Sequence, residues 1–117
     1  MQNRRQTGAR YEQMAGKYLE RQGYEILEYN YRSRNGEVDI VAKQEEYLVF
    51  VEVKYRKDEG KGYPLEAISL VKQRTICKCA VSYMREHHLG HMPVRFDVVG
   101  ILGERIQVIP NAFDFLV

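Results

Sequence analysis

The run Leu48-Val49-Phe50-Val51-Glu52-Val53-Lys54-Tyr55-Arg56 opens with four apolar residues and then places Glu52, Lys54 and Arg56 on one side of an alternating pattern. Four consecutive apolar residues suit a strand covered on both faces in the middle of a sheet. Charges at the end of such a strand are costly unless they are paired or put to use. A polar turn at Glu45-Glu46 predicts a partner strand just upstream, with Lys43 opposite Leu48, Asp39 opposite Glu52 and Glu37 opposite Lys54. In that register Val38, Ile40 and Ala42 meet Val53, Val51 and Val49. One face is then wholly apolar, and the other ends in Asp39, Glu52, Glu37 and Lys54. Opposed carboxylates repel. A hard dication relieves the repulsion and still has room for water and a phosphate oxygen. An ammonium beside it can orient water or steady charge growing on phosphorus. The chemistry open to Asp39, Glu52 and Lys54 is therefore metal-assisted hydrolysis of a phosphodiester.

Several elements have to position this set. Thr7 can cap a helix running to about residue 22, with Gly23 as its stop and Tyr11, Ala15, Tyr18 and Leu19 on its apolar side. Glu12 shares that inward side, either as a further metal ligand or as a partner for a basic residue at the edge of the core. Residues 24–31 alternate and read as a strand. Asn35-Gly36 is a hairpin turn, followed by strands over 37–43 and 48–56. Residues 57–63 read as a charged loop, in which Gly60-Lys61-Gly62 lacks the context of a phosphate cradle and suits a mobile flap. Pro64 opens a helical region to about residue 88, and strands over 94–102 and 106–109 flank a turn at Gly103-Glu104. The order α-βββ-α-ββ predicts an α/β domain, a central mixed five-stranded sheet flanked by helices, spanning 1–117 with a basic tail over 1–6.

Other residues carry competing readings. Glu37 is a ligand or, more simply, a salt-bridge partner of Lys54. Arg32 and Arg34 flank the hairpin turn, Arg56 and Lys57 follow the acidic pair, and Lys72 and Gln73 begin the second helix. These six are candidate nucleic-acid contacts, with solvated surface charge as the alternative. Arg95 and Asp97 alternate on a strand and suit an ion pair that orders the sheet better than a catalytic pair. His87, His88 and His91 suit helix-end capping better than metal binding. Cys77 and Cys79 point to different faces of a helix and read as reduced structural cysteines. The tyrosines at 11, 18, 24, 29 and 31 belong to the core or its rim, where an exposed one can stack on a base.

The segments Gly36-Glu37-Val38-Asp39-Ile40-Val41-Ala42 and Val49-Phe50-Val51-Glu52-Val53-Lys54-Tyr55-Arg56 resemble the D-x(n)-E-x-K signature of restriction-endonuclease-like nucleases. With Gly8, Glu12-x-x-Ala15-x-x-Tyr18-Leu19, Gly23-Tyr24, Asn30-Tyr31-Arg32, Lys72-Gln73-Arg74, Ala80 and Arg95-Phe96-Asp97-Val98-Val99, the chain resembles the YraN family of bacterial proteins. That family is itself similar to archaeal Holliday-junction resolvases. The resemblance implies a restriction-endonuclease-like fold and a Mg²⁺ or Mn²⁺ site with Glu12, Asp39 and Glu52 as ligands and Lys54 as the catalytic lysine. It also implies a homodimer, because two cuts across a junction need two sites.

Composition narrows the setting. A chain of 117 residues with 44% hydrophobic and 29% charged residues suits one globular domain. No apolar run approaches the roughly 18 residues of a membrane span. The polar, basic start has no apolar segment of a signal peptide, so a cytoplasmic location without membrane association is expected. A net charge of +2 suits nucleic acid without marking a dedicated binder. The expectation is a divalent-metal-dependent nuclease acting on DNA, at branched or junction structures. The alternatives are an RNA-processing nuclease and a nucleic-acid-binding module with weak or no turnover.

Overall fold

A computed structural model of the chain, describing residues 4–57 and 68–116, converts these patterns into α1 (Arg4–Arg21), β1 (Glu25–Ser33), β2 (Gly36–Gln44), β3 (Tyr47–Arg56), α2 (Leu70–Glu86), β4 (Val94–Leu102) and β5 (Arg105–Phe113). The strands form one sheet in sequence order. Each neighbouring pair is antiparallel except β3 and β4, which run parallel because α2 carries the chain back between them. This is the expected α/β arrangement, a central mixed five-stranded sheet in the order α-βββ-α-ββ.

The four apolar residues that open β3 are all buried, and they divide between two cores. Leu48 and Phe50 pack with Val41, Phe96 and the Ile76, Ala80 and Tyr83 of α2. Val49 and Val51 pack with Ile40, Ala42, Val99, Ile101 and the Ala15 and Leu19 of α1. The sheet is thus covered by one helix on each side, and β3 is central as its composition requires.

Boundaries differ from the sequence reading in physically interpretable ways. Helix α1 starts at Arg4, ahead of Thr7, so residues 4–6 lie in its first turn. It stops as expected at Gly23, whose φ of +94° lets the Tyr24 N–H reach back to the Leu19 carbonyl at 3.0 Å. The first hairpin loop is Arg34-Asn35, closed by the Ser33–Gly36 pair, one residue earlier than a turn centred on Asn35-Gly36. Gly36 has φ +144°, and a Cβ there would stand 2.6 Å from Thr75 Cγ2 on α2. Residues 58–67, with Pro64 and the expected flap, lie outside the described residues. Ser69 caps α2, its hydroxyl accepting the Lys72 N–H at 3.2 Å. Strand β5 runs beyond the expected 106–109 because a bulge, with Asn111 at φ +53°, absorbs Pro110. No described helix is long and apolar enough to cross a membrane.

Candidate functional site

Strands β2 and β3 keep the expected register from Gln44–Tyr47 to Ile40–Val51, and there the regular pairing ends. Beyond that point Asp39 Oδ2 accepts the Val53 N–H at 2.7 Å, so a carboxylate takes the place of a ladder carbonyl. The face pattern of β2 changes at the same residue. Val38 joins Tyr31 in the core beneath α2, whereas Ile40 joins Ala42 in the core beneath α1. The expected single apolar face, with Val38 meeting Val53, is therefore not formed. On β1, Asn30 falls between the pairs Tyr29–Ile40 and Tyr31–Val38 with φ +53°, a conformation that asparagine tolerates better than most residues.

Helix α1 completes the acidic set. Gly16 lets the helix settle on β1: a Cβ there would stand 2.0 Å from the Tyr29 hydroxyl oxygen. One turn earlier, Glu12 points inward and its Oε1 accepts a hydrogen bond from Asn30 Nδ2 at 2.7 Å. From β3, Glu52 turns toward α2, where its Oε2 lies 3.6 Å from Lys72 Nζ, and its side chain is only 12% exposed. Asp39 interacts with both glutamates. Burial, then the charge of Asp39 and hydrogen bonding to it, push Glu12 up to about 7. The same causes in the same order push Glu52 up to about 8, against the opposing pull of Lys72. Glu12 from α1 and Glu52 from β3 thus each lie close enough to Asp39 on β2 to act on it.

Lys54 is half-buried, two residues beyond Glu52, and makes no ion pair among the described residues. Its expected partner Glu37 instead pairs with Arg32 at 3.3 Å. The parting of β2 from β3 separates Glu37 from Lys54, while continued β1–β2 pairing sets Arg32 directly across from it. Among the described residues no three His, Cys, Asp or Glu side chains stand ready to hold one ion. The donor chemistry nevertheless fits a hard dication: the carboxyls are all oxygen donors, and burial, reinforced by the charge of Asp39, holds Glu12 and Glu52 above the ordinary carboxylate range.

The other candidates are distributed as follows. Arg34 is exposed in the first hairpin loop and Lys57 at the end of β3. Arg56 folds back to donate from Nη1 to the Tyr55 carbonyl at 2.9 Å. Lys72 faces the site through Glu52. The amide of Gln73 is engaged at the start of α2, donating to the Ile68 carbonyl at 2.8 Å. Asn30 was not singled out for a role from sequence, although a polar amide inside an alternating strand is the signal that marks it. Cys77 and Cys79 are both free and buried.

Arg95 and Asp97 form the expected ion pair, and it is a structural one. Asp97 is fully buried, and Arg95 Nε and Nη2 each donate to it at 2.9 Å. Tyr24 donates its hydroxyl at 2.6 Å, and the N–H of Asn111, freed by the β5 bulge, donates at 2.9 Å. The guanidinium also bonds Gln44 and lies between the rings of Tyr24 and Tyr47. His88 occupies the position after the α2 cap with φ +56°, and Leu89 N–H reaches the Met84 carbonyl at 2.8 Å, so this histidine ends a helix as expected.

A five-stranded mixed sheet with one helix on each face places the molecule in the α/β class. Within it, the chain belongs to the uncharacterised protein family UPF0102, whose model matches residues 11–101. It is 51% identical over 113 residues to a UPF0102 protein of Lachnoclostridium phytofermentans, covering 96% of each chain. A UPF0102 protein of Desulforapulum autotrophicum is 48% identical over 118 residues, covering 97% of this chain and 98% of its own. One from Pelobacter propionicus is 46% identical, covering 94% and 84%.

Proposed function

We propose that this protein is a divalent-cation-dependent nuclease that hydrolyses phosphodiester bonds of DNA in the cytoplasm, with branched and junction structures as its candidate substrates. The observation that carries this reading is that Glu12 of α1 and Glu52 of β3 both interact with Asp39 of β2, with Lys54 two residues beyond Glu52 on the same strand. Mg²⁺ or Mn²⁺ held by these carboxyls would polarise the phosphate and supply a nucleophilic water at neutral pH. Asp39 is fixed for this role, because its Oδ2 is anchored on the Val53 N–H. Asn30 fixes Glu12 in the same way. Lys54, which makes no ion pair among the described residues, would serve the scissile phosphate and the attacking water. Arg34, Arg56 and Lys57 supply backbone contacts, and Arg32 and Lys72 join them once released from Glu37 and Glu52. Action at a junction would require a homodimer.

The test is a cleavage panel of junction, flap, single-stranded, duplex and RNA substrates with Mg²⁺ or Mn²⁺. Asp39→Asn is the informative control, since an amide oxygen can still accept the Val53 N–H while the charge is lost. A fall of at least about a hundredfold is expected for Asp39→Asn, Glu52→Gln and Lys54→Met. Equal cleavage by wild type and all three would sink the assignment. One observation favours a second reading, a binding module without turnover: Lys72 already lies against Glu52, where a cation would otherwise sit. Salt-dependent binding with no product from any substrate would select it, and cleavage confined to RNA would select an RNA-processing nuclease.

A further inference from the structure

Tyr11 and Tyr55 stack face to face across the gap between α1 and β3, with ring centroids 3.7 Å apart and planes 17° from parallel. Each is the sequence neighbour of a residue in the proposed site: Tyr11 precedes Glu12, and Tyr55 follows Lys54. Both rings are only half-buried, at the rim of the core beneath α1. Packing alone does not account for them. Two aliphatic side chains would close the same rim, and tyrosine pairs chosen for packing prefer offset or edge-to-face geometry over a parallel sandwich. The phenol of Tyr11 is held above its ordinary range first by hydrogen bonding to Tyr55, so the two rings are tied in parallel. Arg10 acts on the same phenol, and the exposed Lys57 follows Tyr55 two residues on.

A flat aromatic surface bordered by cations is a receiver for a nucleobase with its phosphates alongside. Bases inside a duplex have both π-faces covered by their neighbours and cannot use it. An unpaired base can. We propose that the Tyr11–Tyr55 pair is the specificity-determining element of the site, a stacking platform for an unpaired nucleobase beside the phosphate that meets the acids. This rests on the nucleic-acid reading above and narrows the substrate to strands with unpaired nucleotides next to the cleaved bond, as in single strands, flaps and open junction arms. DNA and RNA both offer such a base, so the strand type is an arm of the test.

The test is binding, read by fluorescence anisotropy with Ca²⁺ in place of Mg²⁺, of labelled single-stranded DNA, its RNA counterpart, a flapped duplex and a blunt duplex. A single 2-aminopurine in each strand reports stacking separately through its emission. Wild type is expected to bind the single strands and the flap more tightly than the blunt duplex, with quenched 2-aminopurine. Tyr11→Leu and Tyr55→Leu should weaken binding of unpaired strands by about 5- to 150-fold and abolish the quenching. Blunt-duplex binding should stay within about twofold, which is the range of unaltered backbone contacts. Tyr11→Trp, which keeps a flat ring, should retain the quenching and shows that any loss in the leucine variants is not a loss of folding. The proposal is overturned if the leucine variants bind single strands like wild type, or if all substrates weaken equally. Stacking without any cleavage would leave the platform standing and remove the nuclease. Asp39-dependent cleavage indifferent to both tyrosines would do the reverse.

Discussion

Asp39 has two occupations, and they predict different fates for two substitutions. Its carboxylate closes the opening between β2 and β3 by accepting the Val53 N–H, so Asp39→Ala leaves a part-buried donor unpaired and should lower stability by about 1–3 kcal/mol in urea unfolding. Asp39→Asn should lie closer to wild type in the same measurement while losing cleavage. The glutamates make stability depend on pH. Their folded values, about 7 for Glu12 and about 8 for Glu52, lie above the ordinary 4.5. The folded state therefore holds more protons than the unfolded chain between about pH 4.5 and 8, and stability must fall as pH rises through that window. In EDTA the melting temperature should drop from pH 5 to pH 8, Glu52→Gln should flatten the drop, and Mg²⁺ should offset it at pH 8 with release of protons. A melting temperature that rises over this range would contradict the clustering of the three acids. The types of these residues and their places on strands could be read from the sequence. The turn of Asp39 onto the Val53 N–H could not, because Val38 and Ile40 enter different cores, a break in the β2 alternation that no periodicity encodes.

At the scale of elements, the ends of the helices offer the most direct tests. Both stop by the same arrangement, α1 with Gly23 and α2 with His88 in a left-handed conformation. Glycine adopts that conformation without strain and histidine does not. His88→Gly should therefore stabilise the protein by about 0.5–1 kcal/mol in thermal unfolding. The contact of α1 with β1 depends on the missing side chain at Gly16, where a Cβ would meet the Tyr29 hydroxyl at 2.0 Å. Gly16→Val should lift the helix, destabilise by about 1–3 kcal/mol, and weaken metal binding measured by calorimetry, because Glu12 moves with the helix. Central strand β3 was readable because four consecutive buried apolar residues have few other homes. Glu37 was misassigned because residue spacing assumes that two strands stay paired, and these two part after Ile40–Val51. Helix α2 takes its cap from Ser69, the residue type that most often accepts the first free N–H groups of a helix, while the expected opening at Pro64 lies outside the described residues.

Across the whole molecule, the sheet is pinned at the end away from the acids by Arg95 and Asp97. The pair joins β4 to Gln44 on β2, to Tyr24 before β1 and to Asn111 in β5. Asp97→Asn leaves the guanidinium without its charge partner in a buried setting and should destabilise by about 3–5 kcal/mol in urea unfolding, without bringing a group into the site. The alternation of Arg95 and Asp97 announced their pairing, but nothing in the local pattern showed that Tyr24 and Asn111, far away in the chain, would complete it.

The two-core construction has a further consequence for how the protein could be silenced. Glu12 and Tyr11 ride on α1 alone, whereas the core that holds β2, β3, β4 and α2 together on the opposite side contains, among the described residues, none from that helix. Detachment of one layer would withdraw an acid and an aromatic ring together while most of the sheet stayed assembled. Any ligand that pried α1 from the sheet, or any neighbour that clamped it down, would gate the chemistry without touching a strand.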